Sequence, residues 1–291
     1  MLIGQFWGTS AAESVPAPFC RCPNCENARR VGGKEIRLTS CFRLTDTVML
    51  DLGADAVVQS MKYGEISAVN HVVVTHTHVD HLNSHMMMQS MWAQEKSGYR
   101  HRGTLHYYLT DRAFDIIEEW RNTPWVLKGR LREFEEKGYV AFHKWEYGRR
   151  YELEGMGFTP LRGNHRGSIG EHTAMPLIEL PDGRTLFYGL DSAPYFPETL
   201  EALKGRHVDL YISENAVGCL KNAAPHPSHM RLCDVYDLAN TLVRQGTLDQ
   251  NSTLYLTHIN HRSGHAENEA AVREMQFPVK TIVAYDGLKI L

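Results

Sequence analysis

The stretch His71-Val72-Val73-Val74-Thr75-His76-Thr77-His78-Val79-Asp80-His81 decides how this chain is read. Three consecutive valines predict a strand buried on both faces, and the cluster of histidines begins where that strand stops. In an extended backbone residues i and i+2 point the same way, so the spacing predicts that His76 and His78 converge on one metal ion. Asp80 and His81 follow where the chain must turn, which places them to face a second ion beside the first. Four polar residues could instead decorate a solvent-exposed turn, but exposure alone would not require a valine run aiming them at the end of a strand, where α/β folds place their sites.

A paired site needs further ligands, and the chain offers three more at the ends of apolar strands: His165 after Thr159-Pro160-Leu161, Asp191 after Tyr188-Gly189-Leu190, and His258 after Leu254-Tyr255-Leu256-Thr257. A carboxylate can bridge two cations and a neutral imidazole cannot, so Asp191 is the expected bridge, with His165 on the first ion and His258 on the second. Singly, each could be a hydrogen-bonding residue capping a turn. Their order and placement together carry the weight.

Bulk properties narrow the function. With 43% hydrophobic and 22% charged residues, the 291-residue chain can bury a full core. A net charge of -3 gives no electrostatic reason for a nucleic-acid partner and favours a small-molecule substrate. No apolar run approaches a membrane span, and the opening MLIGQFWGTSAAES lacks the basic flank and unbroken apolar core of a signal peptide, so a cytoplasmic location is expected. Three of the six cysteines crowd at Cys20, Cys22 and Cys25, which is not a disulfide framework. Three thiolates are one short of a closed structural zinc site, and reduced thiols or one disulfide are the alternative. Cys41, Cys219 and Cys233 show no ligand spacing.

Hairpins mixed with strand-helix units, without a linker or repeat, predict one α/β domain over residues 1–291. Residues 84–104 and 120–137 read as helical additions, a lid or a flank, and Thr110 or Asp111 as the cap of a helix through AFDIIEEW. Together with residues 215–228 these additions are the expected pocket walls.

GTS at 8–10, C-x-C-x-x-C at 20–25, IRLTSCFRL, LDLGAD, THTHVDHLN, GNH, GLDS, THINH and AYDGLKI span nearly the whole chain. In these motifs the sequence resembles the metallo-β-lactamase superfamily, and within it the PhnP-type cyclic phosphodiesterases of the carbon-phosphorus lyase pathway. The resemblance implies an αββα sandwich, two central mixed sheets flanked by helices, with two catalytic divalent ions (Zn, Mn or Fe) along one edge, and a homodimer. It makes His261 the fourth ligand of a structural zinc with Cys20, Cys22 and Cys25. It makes His229 the general acid, although the loop APHPSH and a longer interval before His258 depart from the pattern. His226 is the rival, and helix capping the bland role for His229. Asp51 is expected to accept the outer N–H of a ligand histidine, and Asp80 to orient the hydroxide that bridges the metals. The expected activity is hydrolysis of a small cyclic phosphodiester. Lactone or thioester hydrolysis and a non-hydrolytic role in cofactor biosynthesis are the alternatives, while near-neutral charge speaks against a ribonuclease Z-like role.

Overall fold

The computed structural model describes residues 1–96, 103–124, 126–220 and 223–291. Six strands lie side by side in chain order in one sheet: β1 (Leu2–Gly8), β2 (Cys41–Thr45), β3 (Val48–Leu50), β4 (His71–Val73), β5 (Leu105–Thr110) and β6 (Val140–Trp145). β1 to β3 pair antiparallel, and β3 to β6 run parallel. Helices α1 (Pro23–Val31), α2 (Ala56–Tyr63), α3 (Ser84–Lys96), α4 (Asp115–Asn122) and α5 (Leu131–Glu136) fall between these strands.

The second sheet holds β7 (Tyr151–Leu153), β8 (Met156–Arg166), β9 (His172–Glu179), β10 (Thr185–Gly189), β11 (Leu210–Glu214), β12 (Thr253–Thr257) and β13 (Lys280–Val283) in the order β13-β12-β11-β10-β9-β8-β7. β10 to β13 are parallel, and the pairs from β7 to β10 are antiparallel. Helices α6 (Pro197–Leu203), α7 (Leu232–Arg244) and α8 (His265–Met275) belong to this half.

Strand alternation explains the layering. Val72 and Tyr107 belong to an apolar cluster with Met87, Ile117, Leu131 and Phe134 of the first set of helices. Their neighbours Val73 and Tyr108 pack with Phe158, Leu186, Tyr188 and Ile212 of the other sheet. In the second sheet Phe187, Tyr211, Leu254 and Leu256 take the outer side, against Leu203 of α6 and Val235, Ala239 and Leu242 of α7. Both faces of each central strand are therefore buried, each large side chain contributing about 1.5–3 kcal/mol, and the order of layers is αββα.

Several local expectations are corrected. β4 ends at Val73, so His76 and His78 sit on the loop beyond it and not on extended strand backbone. Pairing with β3 and β5 runs out at Val73, and the following residues close a turn in which His81 N and Leu82 N donate to His78 O at 3.0 and 2.8 Å. The cysteine motif, read from the sequence as part of a loop with Pro16 and Pro18, runs into helix α1, whose N-cap is Cys22. The helix expected through AFDIIEEW opens with a 3-10 turn, Asp111–Phe114, and neither Thr110 nor Asp111 caps it with a side chain. α3 lies in the first expected helical addition, and a 3-10 turn (Val126–Gly129) with α5 in the second; residues 97–102 and 125 of these additions lie outside the described residues. No helix among the described residues is long and apolar enough to cross a membrane.

Candidate metal centre

The residues of the site arrive at the carboxyl ends of five strands. Asp51 follows β3, the loop from His76 to His81 follows β4, His165 closes β8, Asp191 follows β10 and His258 follows β12. Asp51, Asp191 and His258 are non-glycine residues with φ of +61°, +47° and +55°. The left-handed region costs an L residue of order 1–3 kcal/mol and persists only where the surroundings enforce it, so the three strand ends are bent toward a common point at an energetic cost.

His76, His78, His165 and Asp191 each offer a donor atom, all within 4.8 Å of one another, and so do Asp80, His81, Asp191 and His258. Asp191 is common to both groups. Its Oδ2 lies 3.2 Å from His76 Nε2 and from His81 Nε2, and its Oδ1 lies 2.6 Å from His258 Nε2.

Outer partners set the tautomers. His81 Nδ1 donates to Asp51 Oδ2 at 2.8 Å, His165 Nδ1 to the Ser228 carbonyl at 3.1 Å, and His258 Nδ1 to Ser40 Oγ at 2.8 Å, because that hydroxyl is spent on Ser10 O. His76 Nδ1 faces Thr75 Oγ1 at 3.0 Å, and this hydroxyl donates to Asp51 in turn. All four rings therefore turn Nε2 inward, the side from which a metal ligand must bind.

The inward atoms fit cations better than they fit one another. His76 Nε2 and His165 Nε2 lie 2.9 and 3.2 Å from His78 Nδ1, and a single N–H cannot satisfy both lone pairs. His81 Nε2 and Asp191 Oδ1 are buried and make no hydrogen bond, although Asp191 Oδ2 and His258 Nε2 stand only 3.2 and 2.6 Å away. Burial and the neighbouring His81 hold His76 down at about 3, and burial and the facing His229 hold His165 at about 4 against the pull of Asp191, so both are neutral donors. Four imidazoles with fixed tautomers, His78 and two carboxylates make up a donor set suited to Zn, Mn or Fe.

The sequence reading missed Glu214. This wholly buried carboxylate ends β11, between the strands of Asp191 and His258; its Oε1 accepts Ser192 N and its Oε2 lies 2.9 Å from His229 Nδ1. The one available signal was an acidic residue ending a strand flanked by two ligand-bearing strands. His229 precedes α7 without capping it, since the N-cap is Arg231, and its ring is 4.7 Å from that of His165. His226 is exposed and bonds to Ser228, 5.1 Å from the His229 ring.

A cleft of about 470 Å³ opens over these groups. Its walls come from Ala11 to Glu13, Val79, Ser168, Ala216, Val217, Asn260 and Arg262. Residues 84–96 and the described part of 120–137 do not line it, which corrects the expected wall; of 215–228, residues 216, 217 and 226 do, and residues 221 and 222 lie outside the described residues. Those helices cover the far side of the first sheet, where their apolar faces are buried.

Beside the cleft, Cys20, Cys22, Cys25 and His261 also bring four donor atoms within 4.8 Å, with the Cys22 and Cys25 sulfurs 3.5 and 3.6 Å from His261 Nδ1. All three cysteines are unbridged, and this set fits a tetrahedral zinc.

A profile of the β-lactamase superfamily domain matches residues 44–259. The chain belongs to the metallo-β-lactamase superfamily. It has the fold of that superfamily, with PhnP-like similarity. A diphosphatase of the PhnP family superposes with a TM-score of 0.70 at 20% identity, covering 100% of this chain and 98% of the other. Zn(2+)-bound PqqB from Methylobacterium extorquens gives 0.71 at 15% identity with 100% of both chains covered. Short-form human tRNase Z gives 0.63 at 15% identity, covering 100% and 99%. No curated protein matches the sequence.

Proposed function

We propose that this metallo-β-lactamase-fold chain, acting as one domain over residues 1–291, hydrolyses a small cyclic phosphodiester. His76, His78, His165 and Asp191 would hold one divalent cation, Asp80, His81, Asp191 and His258 a second, and Cys20, Cys22, Cys25 and His261 a structural zinc. Bound there, the paired cations supply Lewis acidity toward a phosphoryl oxygen and lower the pKa of a water toward roughly 7.

The protein's own groups do the rest. Asp80, 3.2 Å from His81 Nε2, orients the nucleophile with its free oxygen. Glu214 keeps His229 Nδ1 protonated and turns its ring toward the cleft, so that Nε2–H can be given to the departing alkoxide. Ala11, Ala12, Val79, Ala216 and Val217 leave short apolar walls, which suit a compact substrate.

The observation that carries this reading is the pairing of buried Glu214 with His229, which lines the same cleft as the Asp191 shared by two four-donor groups. The family fold supports it, since a diphosphatase and a tRNase Z are built on the same frame. The test is turnover by zinc- or manganese-loaded protein of an activated phosphodiester and a 2′,3′-cyclic nucleotide beside a panel of lactones and thioesters. Phosphodiester turnover alone supports the proposal. Turnover of lactones or thioesters alone replaces it with acyl hydrolysis, and full metal loading without turnover indicates a non-hydrolytic member.

A further inference from the structure

A second cleft, of about 280 Å³, is lined by three arginines: Arg112 from the turn after β5, and Arg162 and Arg166 from β8. Their charge is incompletely answered. Arg112 makes no side-chain hydrogen bond or ion pair with the described residues. Arg166 donates to Gly170 O at 2.7 Å and meets no carboxylate among them. Arg162 lies 3.3 Å from Glu198, which is not part of the cleft lining. Two carboxylates do line it. Glu171 is buried and its oxygens are taken, by Thr77 N at 2.8 Å and Ile169 N at 3.2 Å, while Asp111 is exposed.

The cleft is also stiffened for use. His172 Nδ1 donates to Gly163 O at 3.1 Å, so Nε2 is its lone-pair side and accepts from Arg162 at 2.7 Å. Burial, then Arg162 and Arg166, lower the pKa of His172 and keep it neutral. The Arg162 guanidinium rests 4.8 Å over the Phe196 ring, and Tyr147 donates to His172 O at 2.6 Å. A guanidinium held in this way loses little freedom when it pairs with an oxyanion.

We propose that this cleft is a binding site for a small multivalent oxyanion of the phosphate or sulfate class, gripped by Arg112, Arg162 and Arg166. A discrete anion suits it better than a nucleic-acid strand, because the cleft is small and the net charge of -3 gives no extended basic track. The site is separate from the metal centre but lies behind it: Glu171, in its wall, holds the backbone of Thr77 between His76 and His78.

The test titrates metal-loaded protein with sodium sulfate against sodium chloride at matched ionic strength and follows thermal unfolding, with Arg112→Ala and Arg166→Gln beside the unaltered chain. Non-specific salt stabilisation raises all three alike. The site predicts an additional, saturable rise that weakens about tenfold in affinity for each arginine removed, with kcat of Arg112→Ala unchanged. Arg112 is exposed, so its replacement leaves the fold intact. Selenate soaked into crystals should give an anomalous peak between the three guanidiniums. Equal responses in all three proteins, selenate bound only at the metal centre, or binding of a single-stranded oligonucleotide without a sulfate response would each overturn the proposal.

Discussion

His229 and Glu214 carry the sharpest consequence at the scale of single residues. Burial alone would lower the His229 pKa, but the Glu214 carboxylate outweighs it and holds the imidazolium up at about 9, a value that cations bound nearby would bring down. The proton-bearing form is the donor, so kcat should fall as pH rises through this pKa. Glu214→Gln removes the raising charge and should shift that alkaline limb to lower pH; a limb that stays put in the kcat–pH profile would take Glu214 out of the mechanism. His229→Ala should slow a diester with an alkoxide leaving group by about 10²–10⁴-fold and largely spare one that expels nitrophenolate, which needs no proton. Asp51→Asn leaves His81 Nδ1 without its carboxylate and should weaken metal binding about 10–100-fold, as read by competition with a chromophoric chelator.

At the scale of elements, Gly53 sets the distance between the turn after β3 and the loop of Asp80. A Cβ at Gly53 would stand 1.8 Å from Asp80 O, far inside contact distance and against backbone that cannot swing away. Gly53→Ala should therefore cost about 1–3 kcal/mol in thermal unfolding and lower the metal content together, because it displaces Asp80; full metal occupancy in the variant would show that Asp80 does not depend on this approach. The placement of the seven expected ligands at strand ends was legible in the sequence because each follows a short apolar run, and such runs become buried strands. The backbone between them was not. Whether His76 stays extended depends on how far β3 and β5 reach, which no local pattern states. Glu214 was hidden for a related reason: VDLYISE reads the same whether its last carboxylate meets solvent or a histidine, and only the order β10-β11-β12 puts it between Asp191 and His258. Nor could the apolar residues of α3 to α5 say which side of the sheet they would cover.

For the whole molecule, the metal centre ties folding to pH. Burial would raise the Asp80 pKa and lower that of His81, but their mutual attraction reverses both: Asp80 falls below 3.8 and His81 rises well above 6.5. The depressed carboxylate contributes stability above about 3.8 that is lost as pH falls through its folded value; the raised imidazole contributes below about 6.5 and loses this as pH rises through its own. Metal-free protein should thus lose stability toward alkaline pH, whereas loaded protein should not, since ligation replaces the His81 proton. Unfolding temperatures of both forms between pH 5 and 10 check this, and proton release on loading, read by calorimetry in two buffers, checks the exchange itself. The account rests most heavily on residues from distant strand ends holding paired ions across Asp191. An anomalous-scattering map from crystals of the loaded protein measures this directly. It should show two peaks flanking Asp191, one toward His76, His78 and His165 and one toward Asp80, His81 and His258. A single peak there, or none, would contradict it.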